Sequence, residues 1–294
     1  MLLMLNVGNT WAEESTPPPE APSPSSKDDD EKKSTTINRS SIKINEPVNI
    51  YQQTQSDIKH YLPNKYVQPL LAGPDDYLTL IEENHTAINK GVAILIPDFP
   101  MGATTPKSIN YLRKVLPQEG WTTMTIQPSY SPENYPSTNT DEKERLKDNA
   151  DALMAYQAKL SQLIPAIMQK AKAYPGLFLV IAEGTHAAML VNIYQKDPKS
   201  IPSALVMLSA YLPTEIESNF FGKNMASLEI PVLDLHLKND HPFVIKSSKR
   251  RKIFAQKELK VYYRQQQIFN FNSSYYPLEQ LLKSINGWLK SIGW

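Results

Sequence analysis

Polar and apolar positions divide the chain at about residue 46. Beyond it, short apolar runs alternate with stretches that repeat their apolar residues every three or four positions, the signature of strands separated by amphipathic helices. Tyr77 to Glu83 and Gly91 to Phe99 read as strands, the second so uniformly apolar that both of its faces must be covered. A helix follows from Lys107 to about Leu116, then a strand from Trp121 to Ser129. A long helix spans about Glu142 to Ala173, with Leu153, Leu160, Ile164, Ile167 and Ala171 as its buried stripe and a kink expected at Pro165.

The second half keeps this rhythm. The expected elements are a strand in GLFLVIAEG, a helix in THAAMLVNIYQKD, a strand in SALVMLSAY, a poorly periodic segment from Pro213 to Leu228, and a strand from Pro231 to Leu237. A basic helix from His241 to Glu258, a strand in KVYYRQQQI and a last helix from Pro277 to Ile292 complete the series. The predicted fold class is α/β, a doubly wound, mainly parallel sheet flanked by helices.

Residues 13–45 differ from all of this. They are rich in Pro, Ser and charge and nearly free of large apolar groups, so they read as a disordered linker. Before them, residues 1–12 hold an apolar run ending Thr10-Trp11-Ala12, whose small residues suit a signal peptidase. The run is shorter than the usual ~15–30 residues and lacks a basic start, so it reads as the remnant of a signal peptide whose cationic end lies upstream. Export to the periplasm is the expectation, with residues 46–294 as the folded domain. No stretch approaches the ~18 apolar residues of a membrane span.

Charge and composition mainly exclude. Lys and Arg number 31 against 30 for Asp and Glu, so a net charge of +1 offers no field for a nucleic-acid backbone. The chain has no cysteine, which removes thiolate metal sites and cysteine nucleophiles. No phosphate-binding glycine loop is present, and no cofactor is expected.

In an open parallel sheet, ligands gather beyond the carboxyl ends of the strands. There the order of elements resembles the α/β-hydrolase fold, which holds a nucleophilic serine in a G-x-S-x-G elbow and follows it with an acid and then a histidine. Superposing that elbow on AEGTHAA puts Ala182 on the first glycine, Gly184 on the serine and His186 on the last glycine. The nucleophile position therefore has no side chain.

Thr185, one place later, is the candidate replacement hydroxyl, against an ordinary role capping the following helix. Asp240, after the strand PVLDLHL, stands where hydrolases carry the triad acid, but it also suits a turn or the cap of the next helix. No histidine follows the last strand, in RQQQIFNFNSSYYPLEQ. His241 adjoins Asp240 but comes too early in chain order, and His186 sits in the first turn of the elbow helix, where the dipole disfavours its cation. Asp98, between Pro97 and Pro100, puts negative charge where an oxyanion would develop.

Two further sets of residues could carry function. Asp234, His236, Asp240 and His241 could be proposed as metal ligands, although a polar layer under the site is the simpler account, and no metal is expected. Lys246, Lys249, Arg250, Arg251 and Lys252 form a basic cluster on a helix, read as a solvated face that could also meet an anionic partner.

Further segments carry a closer resemblance. GVAILIPDF, YLRKVLPQEGWTTMTIQPS, AEGTHAA, IPVLDLHLKND, VYYRQQQI and INGWLKSIG, within residues 65–294, are similar to an uncharacterised proteobacterial α/β-hydrolase-like group, domain-of-unknown-function family 3530. That resemblance implies an exported hydrolase-fold protein with glycine in place of the serine, and it supplies no activity. The expectation is a catalytically inactive protein that binds a small molecule or an envelope protein. The alternative is an esterase or peptidase using Thr185 or an unrecognised nucleophile with Asp240 and His186 or His241.

Overall fold

The computed structural model of the chain describes residues 49–98, 101–128, 132 and 134–294. The expected signal segment and linker lie outside the described residues. Val48–Trp294 forms one compact unit, built on an eight-stranded sheet in the order β1-β2-β4-β3-β5-β6-β7-β8.

The strands are β1 (Val67–Ala72), β2 (Asp75–Glu82), β3 (Gly91–Ile96), β4 (Trp121–Gln127), β5 (Leu177–Glu183), β6 (Ala204–Leu208), β7 (Val232–Leu237) and β8 (Tyr263–Ile268). Only β1 with β2 and β2 with β4 pair antiparallel. Every other pairing is parallel. The helices are α1 (Ile50–Tyr61), α2 (Ser108–Val115), α3 (Glu142–Ala171), α4 (Gly184–Lys196), α5 (Glu215–Ser227), α6 (Pro242–Lys257) and α7 (Leu278–Ser291).

The alternating faces of the central strands show why they are apolar throughout. Val92, Ile94 and Ile96 of β3 join the core formed with α3, α4 and α5, whereas Ala93 and Leu95 join the core under α2 and α7. Helices thus cover both faces of the sheet, which is what uninterrupted apolar strands require. The helix α3 starts on Asp141, whose side chain accepts the Glu144 N–H, and continues across Pro165 for 30 residues.

Three sequence expectations change, and one of two alternatives, for Asp240, is decided. Residues 50–72, given no elements in the sequence reading, form α1 and β1. The poorly periodic segment from Pro213 is the regular helix α5, started by a capping box in which the Thr214 and Glu217 side chains serve each other's backbone N–H. The N-cap of α6 is His241, whose Nδ1 accepts the Phe243 N–H, and Asp240 is the turn residue before it.

The last change concerns the basic cluster. Arg251 is fully buried and forms a two-pronged ion pair with Asp234, at 2.7 and 2.9 Å. Lys246 and Arg250 both pair with Glu215. The cluster is not one solvated face, because three of its five charges are committed to neighbours within the fold.

Candidate functional site

At the carboxyl end of β5 the chain turns directly into α4 at Gly184, with φ at +60°. This left-handed conformation costs glycine little and is what a sharp strand-to-helix elbow demands. The elbow is therefore preserved without its nucleophile. The adjoining residues of α4, from Thr185 to Val191, are all buried, so its start lies tight against the sheet.

What fills the space is Asp98, from the loop after β3. A Cβ placed on Gly184 would lie 2.0 Å from Asp98 Oδ2 and 2.1 Å from its Cγ. A side chain at position 184 would require this carboxylate to shift. Asp98 Oδ1 accepts the Thr185 N–H at 2.8 Å and the Thr185 hydroxyl at 2.6 Å. In the hydrolase elbow, the N–H after the nucleophile is one of the donors that stabilise an oxyanion. Here that donor holds a resident carboxylate, and the positive end of the α4 dipole favours the same charge.

His186 is enclosed. Its Nδ1 lies 2.5 Å from the Pro97 carbonyl, which can only accept, so Nδ1 carries the proton and Nε2 accepts from the Tyr156 hydroxyl at 2.9 Å. Burial holds its pKa below the ordinary value, against the pull of the Asp98 charge and the Pro97 carbonyl. Both ring nitrogens are thus engaged away from the Thr185 hydroxyl.

Glu183, the last residue of β5, is half-buried, and Ser108 donates to its Oε1 at 2.9 Å. Desolvation, then the nearby Asp98 charge, pushes its carboxyl up to about 7. Two neighbouring carboxyls with very different surroundings are one recognisable form of acid and base pairing.

Across the strand ends the acid position also keeps its residue. Asp240 Oδ2 accepts the Leu237 N–H at 2.9 Å and the Ser209 hydroxyl at 2.5 Å, and Oδ1 accepts the His241 N–H at 2.8 Å. Ser209 closes β6 with φ at +50°, a left-handed conformation uncommon for a residue with a side chain. The Tyr276 hydroxyl lies 2.7 Å from Ser209 Oγ and 3.1 Å from the Leu235 carbonyl. Burial and the Asp240 charge raise the Tyr276 pKa well above its ordinary value, so it remains a neutral hydroxyl. Tyr276 comes from the segment after β8 in which a histidine is expected. His241 is exposed, and its ring stacks on Tyr211 at 5.1 Å.

Beneath this flank, Asp234 Oδ2 also accepts from the Tyr263 hydroxyl at 2.7 Å and Gln265 at 2.9 Å. Burial alone would raise this carboxyl, but Arg251 and the hydrogen bonds hold it below the ordinary carboxylate range. Oδ2 thus takes three donors and Oδ1 one, which commits Asp234 to an ion pair within the fold. Among the described residues, no group of three or more His, Cys, Asp or Glu is arranged to hold one.

The candidate residues are therefore divided. Thr185 meets Asp98, His186 meets Tyr156 and Pro97, and Asp240 meets Ser209. The sequence reading did not single out Ser209, Tyr276 or Glu183; for Ser209 and Glu183 the only local signal is a polar residue directly after, or at the end of, an apolar strand, and Tyr276, eight residues beyond β8, has none.

The family model of DUF3530, described as a protein of unknown function, matches residues 3–291. The chain belongs to this family. No curated protein matches it. Among solved structures, a dienelactone hydrolase from Anabaena variabilis is 13% identical, with a TM-score of 0.56, covering 77% of this chain and 96% of its own. Esterase 2 of Thermogutta terrifontis is 9% identical, with a TM-score of 0.55 and coverage of 79% and 97%. An alpha-beta serine hydrolase homologue from Coxiella burnetii is 11% identical, with a TM-score of 0.50 and coverage of 79% and 100%. At these identities the likeness establishes the α/β-hydrolase fold of this DUF3530 protein and nothing finer. Among the described residues, no helix is long and apolar enough to cross a membrane.

Proposed function

We propose that this DUF3530 protein is an exported, periplasmic member of the hydrolase fold that no longer performs acyl transfer and binds a ligand or an envelope protein through its strand ends. The observation that carries this reading is the Asp98 carboxylate lying 2.0 Å from where a side chain on Gly184 would begin. An anion already on the Thr185 N–H opposes a second, developing one, and an oxyanion-hole donor is worth about 2.7–4 kcal/mol in the transition state. The apolar N-terminal run and its Thr10-Trp11-Ala12 sequence support export.

A second reading has one specific observation in its favour. The Thr185 hydroxyl donates to Asp98 at 2.6 Å, and a hydroxyl on a carboxylate is a weak form of nucleophile and base. The two readings separate on the purified protein with short acyl p-nitrophenyl esters and a fluorophosphonate probe. The binding reading expects neither turnover nor labelling. Turnover or labelling that disappears in Thr185→Ala overturns it. Export is tested by fractionating cells that express the chain; retention of unprocessed protein in the cytoplasm overturns that part.

A further inference from the structure

The two edges of the sheet are finished differently. On β1, Pro69 lacks an N–H and its carbonyl accepts Lys170 Nζ at 3.1 Å, so that edge is blunted. On β8, the Val232 N–H meets the Tyr262 carbonyl at 2.9 Å and the Lys238 N–H meets the Ile268 carbonyl at 2.8 Å. Alternation along a parallel ladder then turns the even-numbered residues toward β7 and the N–H and C=O of Gln265 and Gln267 outward. The Tyr263 N–H is taken locally, by the Lys260 carbonyl at 3.4 Å. Neither proline nor a helix of the described residues closes this edge.

Around it lie large apolar side chains in solvent. Leu259 is 82% exposed, Val261 83%, Tyr262 60%, Phe269 49% and Phe271 89%. A groove of about 480 Å³, lined in part by Ala255, Leu259, Val261, Tyr263 and Gln265, runs along the start of the strand. An unpaired strand edge beside exposed apolar groups is a surface built to be covered.

We infer that β8 pairs antiparallel with β8 of a second copy of this chain, about a two-fold axis at Gln265, joining two sheets into one. The sequence of the edge is what selects a copy of itself as the occupant. With Gln265 opposite Gln265, Arg264 faces Gln266, Tyr263 faces Gln267, Tyr262 faces Ile268, and Val261 comes to Phe269 just past the strand. No like charges meet, and exposed Val261 at one end of the strand meets exposed Phe269 at the other, while Ile268 itself is buried in the core. Shifting the axis by one residue to Arg264 would set the two guanidinium groups against each other, so charge excludes that register. The pairing gives four backbone hydrogen bonds: two exchanged between the Gln265 residues, and one from each Gln267 N–H to a Tyr263 carbonyl.

The test is sedimentation velocity on the purified chain over a wide concentration range, with two variants. Gln267→Pro removes an outward N–H and leaves the ladder to β7 intact. Val261→Glu places a charge opposite Phe269 at a position with no packing to lose. The wild type is expected at twice the chain mass and both variants at the single mass, with unchanged far-ultraviolet circular dichroism spectra at low temperature. If Gln267→Pro fails to fold, Val261→Glu alone decides. A wild type that stays at single mass throughout, a dimer that persists in Val261→Glu, or an edge covered only by another protein or by residues 1–47 of its own chain overturns the inference.

Discussion

The two flanks of the strand ends fill the positions of a hydrolase's catalytic groups in opposite ways. On the β3–β5 flank the nucleophile position is empty of side chain, and a carboxylate from a neighbouring loop has moved into its space and onto its N–H donor. On the β6–β8 flank the acid, Asp240, keeps its place, and hydroxyls from Ser209 and Tyr276 stand where an imidazolium would be oriented. One flank substitutes a charge for a missing group, whereas the other neutralises the demands of a retained charge with hydrogen bonds. In both, the polar groups at these positions are bonded to partners within the protein.

The largest effect is expected beneath the second flank. Arg251→Leu would leave Asp234 buried without its cation, and breaking such a pair costs about 3–5 kcal/mol. Urea denaturation would register this, and a loss below 1 kcal/mol would show that the pair does not anchor that flank.

Gly184→Ser strikes the first flank. The serine meets both the positive φ and the Asp98 carboxylate, at a cost of about 2–4 kcal/mol. If the clash with Asp98 is the major part, Asp98→Ala combined with Gly184→Ser is less destabilised than the sum of the single variants, and a double-mutant cycle by urea denaturation measures that coupling.

Asp98→Ala alone costs about 1–2 kcal/mol, comparable to losing a helix N-cap, because the Thr185 N–H and the dipole lose their anion. The thermal midpoint would fall accordingly; an unchanged midpoint would mean that water replaces the carboxylate without loss.

Glu183 links the comparison to pH. Its carboxyl is raised from 4.5 to about 7, foremost by desolvation and then by Asp98. The unfolded chain releases this proton first, so the contribution is complete below pH 4.5, falls as pH rises, and is lost above about 7. Denaturation midpoints across that window should decline in the wild type, and the Glu183→Gln variant should lack this component.

Tyr276→Phe is the mildest change. It removes one hydroxyl from Ser209 while leaving Ser209 bonded to Asp240, at a cost of about 0.5–1.5 kcal/mol. A larger loss would mean that Tyr276, rather than Ser209, is the main support of the acid flank.

Much of the fold is legible along the chain because β3, β5, β6 and β7 are covered on both faces and their residues are accordingly apolar. The helix α5 was not legible as a regular element, because Ile216 and Phe220 face solvent while Phe221 and Met225 are buried, which blurs the apolar stripe. Its capping box, Thr214 with Glu217, was the available local signal. The helix α1 buries only Ile58 and leaves almost no stripe to read. Arg251 stands in a run of basic residues indistinguishable from a solvated face, and only its position over Asp234, 17 residues earlier, makes it a core residue.

The sequence by itself determined the order of the elements after β1 other than α5, the elbow, and the absence of serine and of a histidine after the last strand, because these are properties of neighbouring residues and of periodicity. The tertiary structure alone decided what stands in the vacated places. Asp98 and Thr185 are 87 residues apart and Ser209 and Tyr276 are 67 apart. Their contacts arise because parallel pairing brings the carboxyl ends of separate strands to one edge, where each buried or half-buried polar group must find a partner or bear the cost of desolvation.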